Sequence, residues 1–273
     1  MTKVKDVVNM PNRRPKAKKI SHELSEKLGK DRRMEKILSI LPDLAVSDAP
    51  VLLEGESGTG KELIAITIHK LSKRCKYPLV KVSCSAFSEE ILITELFGCR
   101  ANSFYGIQED RTGKMEMARG GTIFLDEVDC LPLRVQIMLF RAFEDWYYVP
   151  LGAETPEPLD IRLIAATEKS LKNYVWKGKF KENFYYRLNV FQLQLPPLRE
   201  RREDIILLAY QHIRRLNAKC EKNVEDFDLE ALHALRRYSY PGNIRELENI
   251  IQHAHILARG GSICLGNLPA RLA

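Results

Sequence analysis

The segment Gly55-Glu56-Ser57-Gly58-Thr59-Gly60-Lys61 constrains this chain more than any other. It follows directly on the apolar run Val51-Leu52-Leu53 and leads into helical spacing through Leu63, Ile64, Thr67, Ile68 and Leu71, which predicts strand, loop and helix in that order. A glycine loop at that junction lets backbone N–H groups converge on phosphate oxygens. Glycine has no side chain to hold the phosphates off, and a helix start favours anions. Lys61 adds a point charge suited to β- and γ-phosphates. The general pattern next places Ser or Thr to give magnesium a hydroxyl ligand, and this chain has Glu62 instead. The plain alternative is a glycine-rich turn that holds no nucleotide.

Further apolar runs with strand character occur at 79–82, 122–125, 161–165 and 190–195, separated by helical stretches. That alternation predicts a mostly parallel sheet covered by helices on both faces. Ahead of it, helical spacing runs from about His22 to Leu44 through Met34, Ile37, Leu38 and Leu41. From about Glu203 the strands stop and three helical segments follow. Ile205, Ala209 and Ile213 mark the first, Leu229, Leu232 and Leu235 the second, and Leu247, Ile250, Ile251 and Ala254 the third. Pro241-Gly242-Asn243 punctuates the start of the third segment and Gly260-Gly261 its end. The expected division is a basic flexible tail at 1–21, an α/β nucleotide-binding part at 22–200 and a small all-helical part at 201–273.

Charge matters here chiefly through its location. Of the net +7, residues 1–30 carry +6, with Pro11 and Pro15 breaking any helix. Such a tail suits nonspecific contact with a nucleic-acid backbone, or else is a solvated leader. No apolar run reaches a membrane span and the start lacks an apolar signal stretch, so a cytoplasmic protein with no membrane contact is expected. The six cysteines show neither metal-site spacing nor a disulfide framework, and are expected to be reduced, most of them structural.

The segment 122–127, Thr-Ile-Phe-Leu-Asp-Glu, is an apolar strand that ends in two carboxylates. A carboxylate at a strand's C-terminal end lies at the same sheet edge as the glycine loop. Asp126 then suits a magnesium ion, held through water, and Glu127 suits orienting or deprotonating an attacking water. Two surface acids at a strand end are the alternative.

With these motifs in place, residues 28–270 resemble the central AAA+ domain of bacterial enhancer-binding proteins, the NtrC-like sigma-54-dependent transcription activators. The likeness rests on SDAPVLLEGESGTGKE (47–62), ELFG (95–98), GGTIFLDEVDCLPLRVQ (120–136), RLIAAT (162–167), FYYRLNVF (184–191), LPPLRERREDI (195–205) and YPGNIREL (240–247). Glu62 accords with this family, which usually has Glu after the loop lysine. The resemblance implies a P-loop AAA+ domain with a mostly parallel five-stranded sheet between helices and a helical lid. It implies ATP and Mg2+ as cofactors, and a ring, typically a hexamer, with ATP bound between subunits. Arg187 would reach a neighbour's phosphate, Lys181 stands at the first of two such finger positions, and Arg245 would read the γ-phosphate from the lid.

Departures from the family cluster around the chemistry. Residues 102–107, Asn-Ser-Phe-Tyr-Gly-Ile, align with the GAFTGA loop that pushes on sigma-54, and the replacements argue against contact with sigma-54 RNA polymerase. Ser83 replaces an asparagine that restrains the catalytic glutamate. Lys181 keeps the finger's charge but not its planar fork. Glu168 replaces a sensor asparagine and brings a negative charge toward the γ-phosphate, disfavouring the triphosphate unless magnesium or a basic group offsets it. Slow hydrolysis is expected. The chain stops about where the family continues into a helix-turn-helix, so DNA contact would come from the basic tail or from such a segment elsewhere. Three functions follow: a divergent ATP-dependent transcription regulator, a nucleotide-gated interaction module with little or no hydrolysis, or a nucleic-acid remodeller anchored by residues 1–30.

Overall fold

The apolar runs form one sheet. Its strands are β1 (Val51–Glu54), β2 (Leu79–Ser83), β3 (Thr122–Asp126), β4 (Arg162–Thr167) and β5 (Phe191–Gln194). They lie in the order β2-β3-β4-β1-β5, and every adjacent pair is parallel. The computed structural model describes residues 24, 26–101, 109–220 and 222–272. The basic tail at 1–21 and the stretch at 102–107 lie outside them.

Parallel neighbours require crossovers, and helices supply them. α1 (Arg32–Val46) precedes the sheet, and α2 (Lys61–Leu71) links β1 to β2. α3 (Glu89–Phe97) and α4 (Lys114–Met117) lead to β3, α5 (Leu133–Asp145) to β4, and α6 (Leu171–Trp176) and α7 (Glu182–Leu188) to β5. Because the strands share one direction, the loop after β1, Ser83, Glu127 and Glu168 all fall on one edge of the sheet.

Strand side chains alternate between two cores. Val51, Leu53, Ile164 and Ala166 face a cluster with α1, α2 and the C-terminal helices, while Leu52, Leu163 and Ala165 face one with α3, α5 and α7. Strand β4 is buried along its whole length, including Arg162. That guanidinium donates to the carbonyls of Leu44 (2.8 Å) and Ala45 (3.0 Å), which satisfies the buried C-terminal end of α1. Burial pushes its pKa down to about 10.

The expected helix from His22 to Leu44 is corrected. Gly29 has φ +97°, and a Cβ there would lie 2.1 Å from the Asp204 carboxylate. The chain therefore breaks at Gly29, and α1 starts afresh behind Asp31, whose side chain accepts from the Arg33 N–H. Apolar periodicity continued across this break because Leu24 and Leu28 join the same core as α1.

The C-terminal part is helical: α8 (Arg202–Cys220), α9 (Leu229–Arg237) and α10 (Asn243–Leu257). It also holds a two-residue parallel pair, Asp226–Phe227 with Ser262–Ile263, too short for apolar spacing to announce. The expectation that most cysteines are structural is likewise corrected. Cys84 and Cys99 are buried, but Cys75, Cys130, Cys220 and Cys264 are exposed, because turns and helix ends carry them to the surface. Among the described residues no helix is long and apolar enough to cross a membrane.

Candidate functional site

The loop after β1 is shaped by its glycines at two points. Gly58 has φ +72° and Gly60 φ +106°, conformations that side chains rarely adopt. A Cβ on Gly58 would also lie 2.2 Å from the Gly242 carbonyl oxygen, and one on Gly60 2.2 Å from Leu28. The loop is thus pressed between the helical part on one side and the segment before α1 on the other. Thr59 is fully buried, and its hydroxyl donates to the Glu56 carbonyl at 2.8 Å.

Lys61, 8% exposed, opens α2 and turns its ammonium to the carbonyls of Gly55 (2.6 Å) and Glu56 (3.0 Å). Burial lowers its pKa, opposed by the charges of Glu168, Asp126 and Asp129. Glu168, immediately after β4, places Oε1 4.0 Å from Lys61 Nζ. Glu62 pairs with Lys81 at 2.7 Å, and Lys81 Nζ also lies 3.4 Å from Asp126 Oδ2.

Glu127 occupies the left-handed region, φ 59° and ψ 44°, as the chain turns out of β3. Its Oε2 accepts from the Ser83 hydroxyl at 3.2 Å and from the Ser85 hydroxyl. The loop after β2 is laid beside the end of β3 by the Cys84 N–H, which donates to the Asp126 carbonyl at 2.9 Å.

From the helical part, Arg245 donates to Ser57 Oγ at 3.2 Å. Asn243, fully buried, donates to the Ser57 carbonyl (2.8 Å) and Glu56 Oε2 (3.2 Å) and accepts from the Leu198 N–H (2.7 Å). Arg199 grips Glu56 with two hydrogen bonds of 2.7 and 2.6 Å, which holds the Glu56 carboxyl below its ordinary pKa.

These groups surround a cleft of about 370 Å3. One wall is apolar (Leu28, Leu63, Ile66, Ile244), and the other end gathers Lys61, Asp126, Glu127, Glu168 and Arg245. An apolar wall suits a base, and a cationic loop of converging amides suits phosphates. A half-buried carboxylate such as Asp126, beside those of Glu127 and Glu168, fits a magnesium ion held mainly by phosphates and water.

Residues 27–194 match the sigma-54 interaction domain family, and residues 199–273 match the AAA+ ATPase lid domain. The chain belongs to the sigma-54 interaction domain family. Regulatory protein AtoC of Escherichia coli (strain K12) is 44% identical over 229 residues, covering 84% of this chain and 50% of AtoC. Transcriptional regulatory protein ZraR of Salmonella typhimurium (strain LT2) is 42% identical over 246 residues, covering 90% of this chain and 56% of ZraR. The crystal structure of NtrX from Brucella abortus in complex with ATP superposes with a TM-score of 0.83 at 29% identity, over 94% of this chain and 58% of NtrX. The chain spans about half the length of these curated relatives. It is an AAA+ domain homologous to those of NtrC-like regulators, with the parallel sheet and helical lid expected of them.

Ser57, Gly58, Gly60, Lys61, Glu62, Asp126 and Glu127 of the sigma-54 interaction domain and Arg245 of the lid all border the cleft. Gly55, Glu56 and Thr59 do not border it: the carbonyls of Gly55 and Glu56 accept from Lys61, and Thr59 is buried within the loop. Arg187 and Lys181 lie elsewhere. Arg187 donates to the Phe143 carbonyl, sits 3.8 Å from Glu144 and stacks over Trp146. Lys181 caps α7, its N–H donating to Gln136 Oε1 at 2.8 Å. Sequence reasoning missed Leu28, Lys81, Ser85, Arg199 and Asn243. Only Asn243 had left a signal, as punctuation after Pro241-Gly242, and its φ of +51° explains why Asn stands there.

Proposed function

We propose that this chain binds ATP with Mg2+ and couples its hydrolysis to ring assembly and to remodelling of a partner in bacterial transcription. The observation that carries this reading is the meeting of Lys61 from the start of α2, Asp126 and Glu127 from the end of β3, and Arg245 from α10 around one cleft that apolar residues also line. In it, the loop amides and Lys61 bind the phosphates, Arg245 steadies them from the lid, and Glu127 takes or orients the proton of an attacking water. Asp126 would hold the magnesium shell, and that ion would neutralise developing phosphate charge. Arg187 and Lys181, neither of which lines the cleft of its own chain, would serve a neighbouring subunit.

Lys61→Ala is expected to abolish nucleotide binding. Glu127→Gln is expected to keep binding and to lower turnover by about a hundredfold or more. Undetectable ATP binding by the unaltered protein at millimolar nucleotide would refute the proposal. A second reading, a nucleotide-gated module with little hydrolysis, is favoured by the Glu168 carboxylate beside Lys61. A steady turnover that rises with protein concentration, as shared sites require, excludes it. The partner is tested by turnover measured with and without sigma-54 polymerase on a pre-melted promoter. Conversion of the promoter complex would show that residues 102–107 still act on sigma-54, against the sequence expectation.

A further inference from the structure

The phosphate end of the cleft carries more negative than positive side chains. Asp126, Glu127 and Glu168 line it together with Lys61 and Arg245. The neighbouring lysines are committed elsewhere: Lys81 to Glu62 and Asp126, and Lys169 to Asp129 at 3.3 Å and to the face of Tyr174. Among the described residues, the ion pair that Glu168 makes is with Lys61, the cation on which phosphates would depend. Glu168 is 38% exposed and directly follows β4, whose backbone and Thr167 side chain are fixed by the sheet and by Asp129 at 2.9 Å. Its carboxylate can swing, but it cannot leave the mouth of the loop.

We propose that Glu168 sets the nucleotide preference of this site, favouring a nucleoside diphosphate over a triphosphate and making triphosphate binding depend on a divalent cation. The inference rests on the nucleotide-binding reading above. A third phosphate adds about one negative charge at neutral pH, and that charge must share Lys61 with Glu168. Like charges a few ångströms apart repel strongly where water is partly excluded, and screening at a partly exposed carboxylate reduces the effect to about tenfold. A divalent cation chelated by the phosphates removes most of the difference between the two nucleotides. Arg245 shares the phosphate charge from the lid, but it leaves the Glu168 carboxylate in place beside Lys61.

Titration calorimetry with ADP and ATP in EDTA, and with ADP and a non-hydrolysable ATP analogue in excess magnesium chloride, tests this on the unaltered protein, Glu168→Gln and Glu168→Asp. In EDTA the unaltered protein should bind ADP more tightly than ATP. Glu168→Gln should shift the ratio of the two dissociation constants about tenfold toward ATP, and by less in magnesium. Glu168→Asp keeps the charge and should keep the ratio. A shift of less than threefold for Glu168→Gln in EDTA overturns the proposal. If that variant does not fold, as judged by circular dichroism, Glu168→Asn is read by the same criterion. Failure of both nucleotides to bind the unaltered protein, or unchanged affinities in Lys61→Ala, would instead refute the nucleotide site itself.

Discussion

Glu127 borders the cleft but is held by two serine hydroxyls on one carboxylate oxygen, so half of its acceptor capacity is taken up at the end of β2. Each hydrogen bond to a charged carboxylate contributes on the order of 1 kcal/mol. Removing both should free the side chain for a water in the cleft. The double variant Ser83→Ala with Ser85→Ala is expected to raise turnover about fivefold while leaving ADP affinity within twofold, as measured by phosphate release and calorimetry. An unchanged or lower rate would show that the hydroxyls do not restrain Glu127. The role of Ser83 was visible in the sequence only through the family comparison, and that of Ser85 was not visible at all. Both depend on the end of β2 and the loop after it lying beside the end of β3, with Glu127 44 residues from Ser83 and 42 from Ser85 along the chain. Glu168 is the opposite case. Its position after an apolar strand was enough to bring it to the sheet edge, and the structure adds the 4.0 Å approach to Lys61.

Strands and lid helices were legible because each is a short apolar run or a regular helical stripe, and burial on the sheet's two faces follows the same alternation. What joins the elements was not. The join between β1's loop and α10 is built from polar groups: Asn243 bonded to Ser57, Glu56 and Leu198, and the Ile244 N–H donating to the Gly58 carbonyl at 3.0 Å. Such contacts have no period, so only geometry reveals them. Asn243→Ala leaves the Leu198 N–H and the Ser57 carbonyl short of partners in a buried place, which should cost about 1–3 kcal/mol. Urea unfolding of the variant against the unaltered protein measures this, and a loss below about 0.5 kcal/mol would mean that water or a shifted backbone replaces the bonds. The helix break at Gly29 escaped notice for a related reason. The residues on both sides of it are apolar, and the feature that requires glycine is an aspartate 175 positions later.

Across the whole molecule, the cleft of one chain is not lined by Arg187, which bonds the Phe143 carbonyl and lies over Trp146, nor by Lys181 at the start of α7. If a neighbour supplies them, Lys61→Ala and Arg187→Ala should each be inactive alone, and mixing them should restore part of the turnover, because some interfaces then pair an intact loop with an intact finger. Turnover of the mixture equal to the sum of the two separate variants would exclude a shared site. The core beneath the lid has a mechanical meaning as well. It runs without interruption from Met34 and Ile37 through Val51, Leu193 and Leu198 to Ile205, Leu247 and Ile251. A lid seated on such a seam is not a flap on a free hinge. Each 100 Å2 of apolar surface that a tilt uncovers raises the free energy by about 2.5 kcal/mol, so the seam behaves as a restoring spring. Its stiffness sets how far Arg245 and Asn243 can be drawn from the loop before the whole lid is pulled back.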